Sequence, residues 1–127
     1  MKHSFSIALA VVVSIFTASR GALAHHSPSQ YDQTKTTTLA GTVTEFHWEN
    51  PHAEIRMTVK DDKGNAEDWS IECPPPNILH RAGWAKDSIK AGDQITASGN
   101  AAKNGHKVLR SEKITLSNGQ VLSQRQD

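Results

Sequence analysis

Cysteine is the scarcest reactive residue: Cys73 is the only one in 127 residues. That excludes an intramolecular disulfide and every metal or redox motif built on paired cysteines. In an oxidising compartment a lone thiol is buried, metal-bound or bridged to another chain. Cys73 continues an apolar alternation, so burial is the expectation. Charge of one sign is also missing, with 14 Lys and Arg against 13 Asp and Glu. No Lys/Arg run marks a surface for anionic membranes, and on the same ground nucleic acid is excluded as a partner. There is no His-Glu-x-x-His and no Gly-x-Ser-x-Gly, so neither a zinc hydrolase nor a nucleophile-elbow enzyme is expected. Beyond residue 24 no apolar run approaches the roughly 20 residues of a spanning helix, so no membrane span is expected after signal cleavage.

What is present starts with Lys2, an apolar run from Phe5 to Phe16, and the small-residue triplet Ala22-Leu23-Ala24. This is the layout of a secretory signal peptide with an A-x-A cleavage site. It assigns residues 1–24 to the signal, places the protein in the periplasm or outside the cell, and makes His25 the first mature residue. An uncleaved membrane anchor is the alternative. The signal removes Lys2 and Arg20 and no carboxylate, leaving 12 basic against 13 acidic residues.

Residues 25–37 are polar and read as an extended arm, which Tyr31 could pin to the body. The domain then runs over 38–122. A first strand, about Thr38 to Trp48, has Leu39, Gly41 and Val43 on one face and Phe46 and Trp48 in the opposite phase, which predicts a bulge near Thr44-Glu45. Asn50-Pro51 turns the chain. The second strand alternates Ala53, Ile55, Met57 and Val59 with Glu54, Arg56, Thr58 and Lys60, the pattern of a half-buried strand. The third points Trp69, Ile71 and Cys73 inward and Asp68, Ser70 and Glu72 outward. Pro74-Pro75-Pro76 ends it, and a short helix over Pro76 to Ala82 stops at Gly83. Two more strands, about Gln94 to Gly99 and Lys107 to Leu116, precede a hairpin at Ser117-Asn118-Gly119-Gln120 with a brief return at Val121-Leu122. Residues 123–127 read as a flexible tail. Three strands, a short helix and two strands give an all-β class: a small five-stranded Greek-key barrel of the OB type, with the helix between strands 3 and 4. A small β-sandwich is the competing topology.

The segments GTVTEFHWENPHAEI, DWSIE, RAGW and IKAGDQI, behind an AHHS start, resemble a family of small exported proteobacterial proteins whose domain has no assigned function. The likeness spans His25 to about Leu122. It implies an exported OB-like domain and carries no catalytic residues with it.

Six histidines lie beyond the signal, and two groups have metal-ligand character. At the cleaved terminus the free amine and the rings of His25 and His26 suit a copper-type ion, because nitrogen-rich sets favour Cu(II). His47 and His52 flank the Asn50-Pro51 corner, with Glu49 or Glu54 as oxygen donors. An arm folded over that corner would join the two groups. Cys73 with His80 is a weaker pair, and His106 reads as solvated. Glu54, Arg56, Asp68 and Glu72 form a polar face on strands two and three, where OB-folds often bind ligands. Two functions follow. One is a non-enzymatic periplasmic module that binds copper through His25, His26, His47 and His52. The other is an OB-like module that takes an envelope protein, a peptide or a small polar ligand, its histidines incidental. No cofactor other than copper is expected, and no enzyme.

Overall fold

The computed structural model describes residues 27–124. Its most regular element is β2 (Glu54–Lys60), where Ile55, Met57 and Val59 are buried and Arg56 and Lys60 exposed. β1 (Thr37–His47) lies antiparallel to it, and the register slips between Val43 and Glu45. The slip is the expected bulge. It lets Leu39 and Val43 before it, and Phe46 after it, all pack on the core although their spacing changes phase. Gly41 sits under the bend. A Cβ there would lie 2.3 Å from the Thr58 carbonyl oxygen, so only glycine allows β1 and β2 to close up.

β3 (Ala66–Glu72) pairs with β2, and α1 (Pro76–Arg81) follows the proline run. Gly83, at φ 91°, ends the helix in the left-handed region. Leu79 of α1 and Trp84 beyond it are both buried. β4 (Gln94–Ala101), β5 (Val108–Leu116) and β6 (Val121–Ser123) complete the sheet in the order β3-β2-β1-β4-β5-β6. A short parallel pairing of β3 with β5, at Ser70–Val108 through Glu72–Arg110, closes the barrel. Closure decides against the sandwich and gives the OB-type barrel that the element order predicts, with its helix between β3 and β4. Val43, Ile55, Met57, Ile71, Leu109 and Ile114 fill the interior.

Both ends of the domain differ from expectation. The arm is not extended: Pro28–Gln30 form a 3-10 turn, and Tyr31 bridges to Ala102. Tyr31 is 2% exposed, and its hydroxyl donates to Glu72 Oε2, so it does pin the arm. Burial, then the Glu72 contact, pushes its phenol well above the usual range. At the other end Ser123 belongs to β6 and Gln124 is buried, so the fold extends into what reads as tail. Trp48, half-buried at the corner, packs edge-on against Phe46, with ring centroids 5.8 Å apart. Residues 1–26 and 125–127, including the signal segment, lie outside the described residues.

Cys73 is buried, as its alternation predicts. Ser111 Oγ lies 3.4 Å from its sulfur, and Gln124 Nε2 donates to the sulfur at 3.7 Å. Burial pushes the thiol up to about 12, against the weaker opposite effect of the Ser111 and Gln124 hydrogen bonds. Reaction with Ellman's reagent at pH 8 is therefore expected to be at least about a hundredfold slower in the folded protein than in guanidine, since the thiolate is the nucleophile. Equal rates would mean that the sulfur is open to solvent.

Candidate polar face and histidine corner

Register fixes the candidate site. In β1 and β2, Glu45 stands opposite Arg56 and His47 opposite Glu54. In β2 and β3, Arg56 stands opposite Ser70 and Glu54 opposite Glu72. Because alternate residues share a face, these six side chains form two rows across three strands, Glu45–Arg56–Ser70 and His47–Glu54–Glu72. The rows are cross-linked. Arg56 Nε donates to Glu54 Oε1 at 3.1 Å, and Arg56 Nη1 lies 3.6 Å from Glu45 Oε2. Ser70 Oγ donates to Glu54 Oε1 at 2.8 Å, and His47 Nε2 lies 2.6 Å from Glu45 Oε2. The Glu54 hydrogen bond, then the charges of Glu54 and Glu45, raise the Arg56 guanidinium above its ordinary value. Further along, Thr58 Oγ1 donates to Asp68 Oδ1 at 3.1 Å. Glu54, Arg56, Asp68 and Glu72 thus share one outer face, as the alternation predicts.

Sequence reasoning missed Glu45, and it placed Ser70 outward beside Asp68 and Glu72 without counting it in the candidate ligand face. Ser70 carried a usable signal, since it lies in phase with Asp68 and Glu72. Glu45 carried less, because the bulge at Thr44 hides its phase.

The histidine candidates separate. His47 sits at the end of β1, and His52 is exposed in the loop before β2. His25 and His26 lie outside the described residues, so their place relative to the corner is not part of this geometry. Among the described residues no three His, Cys, Asp or Glu side chains converge to hold a metal ion. His80 is exposed on α1 while Cys73 is buried inside the barrel, so these two do not form a site. His106 is exposed in the β4–β5 loop. Among the described residues no helix is long and apolar enough to cross a membrane.

No curated protein matches the chain. The mitochondrial single-stranded DNA binding protein Rim1 from S. cerevisiae shares its fold, with a TM-score of 0.50 at 13% identity over 65% of this chain and 93% of Rim1. At that identity the likeness carries the fold alone. It does overturn the exclusion of nucleic-acid partners. That exclusion rested on net charge and composition, and a single-stranded DNA binding protein is built on the same barrel. The family resemblance seen in the sequence is met by a model of a family of unknown function, DUF6152, over residues 11–110. The chain is a member of the DUF6152 family, with the OB-type barrel as its fold.

Proposed function

We propose that this chain is a non-enzymatic binding module, exported to the periplasm, that takes a basic peptide or protein segment of the envelope on the outer face of β1–β2–β3. One observation carries the reading: the two cross-linked rows from Glu45 to Ser70 and from His47 to Glu72. Exposed ion pairs add little to stability, so the network is poorly explained as a support for the barrel. It does hold charged groups in fixed positions, which lowers the cost of ordering them on binding. Carboxylates outnumber cations there, with Glu45, Glu54, Asp68 and Glu72 against Arg56 and Lys60, so the complementary ligand carries Lys or Arg.

The test is calorimetric titration with an oligo-arginine peptide, beside a single-stranded oligonucleotide. The expected result is peptide binding that weakens with salt and falls about tenfold or more in Glu54→Lys. Unchanged peptide affinity in that variant would overturn the reading. So would oligonucleotide binding that is stronger than the peptide's and displaces it.

A second reading is favoured by the Glu45–His47 contact. A carboxylate on Nε2–H fixes the imidazole tautomer and leaves Nδ1 free to bind a metal. In this reading His47, with His25 and His26 of the processed terminus and His52, holds a copper-type ion. Cu(II) affinity should then drop sharply when one residue is added ahead of His25, and again in His47→Ala. Equal tight binding by all forms would remove the site.

A further inference from the structure

Round the barrel from the corner, the outer surfaces of β2, β1, β4 and β5 form a groove of about 640 Å³. We propose that this groove binds a glycan segment, with an anionic sugar preferred. Its lining follows from register. Thr42 stands opposite Thr58 on one side and Gln94 on the other, while Ala40 faces Thr96, which faces Thr115. Two cross-strand rows of hydroxyl and amide groups result, spaced by roughly 4.8 Å from strand to strand, close to the length of one sugar ring. Ala40, the shortest side chain in its row, lies between the taller threonines of the lining. Gly41 beneath it permits the tight approach of β1 to β2.

The chemistry narrows the ligand. Threonine offers a methyl and a hydroxyl side by side, and a sugar presents C–H and O–H in the same way. Gln94 Nε2 already donates to Thr42 Oγ1 at 3.4 Å, while Thr96 and Thr115 hold no side-chain partner among the described residues. Among the described lining residues Lys60 is the one charged side chain, while Asp68 stands at the rim as the acceptor of the Thr58 hydroxyl at 3.1 Å. One cation is a thin basis for a phosphate, which fixed guanidinium forks hold best. It suits a single carboxylated sugar. An added β-strand is excluded here, because β1 and β4 each have strand neighbours on both sides and offer no open edge.

The probes are cellohexaose, which is neutral, and hexameric oligogalacturonate, titrated into the ¹⁵N-labelled protein. Saturable amide shifts at Thr42, Thr58, Thr96 and Thr115 are expected, with tighter binding of the carboxylated sugar. The Thr42→Val/Thr96→Val pair keeps shape and removes hydroxyls, and should bind both sugars about tenfold more weakly. Lys60→Glu should weaken only the galacturonate. The proposal is overturned if neither sugar shifts these amides, if the double variant binds as well as the parent with an unchanged melting temperature, or if the shifts fall on the Glu54–Arg56 face instead. The groove shares none of the six side chains of the corner network, so its failure leaves the peptide reading standing.

Discussion

Gly99→Val will leave the chain unfolded. Gly99 is buried in β4 opposite Ser111, where the β4–β5 register slips past Glu112. A Cβ at this position would lie 2.0 Å from the Arg110 carbonyl oxygen and 2.9 Å from Ser111 Cα. Both are backbone atoms, so no side chain can swing aside. The only relief is to part β4 from β5, and β5 also closes the barrel against β3. A domain with about 5–15 kcal/mol of total stability does not survive that loss. Circular dichroism and amide dispersion should report a disordered chain. A variant that melts within a few degrees of the parent would mean that the β4–β5 approach is looser than described.

Trp84→Ala should be the most damaging truncation of a core side chain. Trp84 is 1% exposed and contacts Phe46 at a centroid separation of 6.4 Å. Its Nε1 donates to the Ser123 carbonyl at 3.0 Å. The ring therefore ties the segment after α1 to both β1 and β6. Truncation leaves a void and strips the carbonyl of its donor, at a cost of about 3–5 kcal/mol. For a domain of this size that lowers the melting temperature by about 15–30 °C. Trp84→Phe should recover part of the loss through volume alone. A drop of under about 5 °C in the alanine variant would show that α1 and its flanks do not seal the barrel.

Much of this barrel is legible in the sequence because local periodicity is strong where one face of a strand is buried. The alternation from Ala53 to Lys60 gives β2 and its inner face directly, and the phase change from Val43 to Phe46 gives the bulge. What escapes is non-local. Closure rests on a three-residue parallel pairing of β3 with β5, which leaves no periodic mark. Docking of Tyr31 on Ala102 and burial of Gln124 depend on contacts far along the chain. β4 runs past Gly99 to Ala101, where a glycine read alone suggests a stop. The same holds for the sites. Glu54, Arg56, Asp68 and Glu72 are readable as one face from their period of two. The hydroxyl rows of the groove are single threonines scattered over four strands, and only register assembles them. The exclusion of nucleic acid failed for a related reason, because net charge says nothing about which surface a barrel offers.

The central claim is that the outer face of β1–β2–β3 beside the corner is where this module binds. An amide-shift titration of the labelled mature protein with an oligo-arginine peptide tests it most directly. Saturable shifts centred on Glu45, His47, Glu54, Arg56 and Ser70, lost in Glu54→Lys, are the predicted result. Shifts that do not saturate, or that centre elsewhere on the barrel, would contradict it.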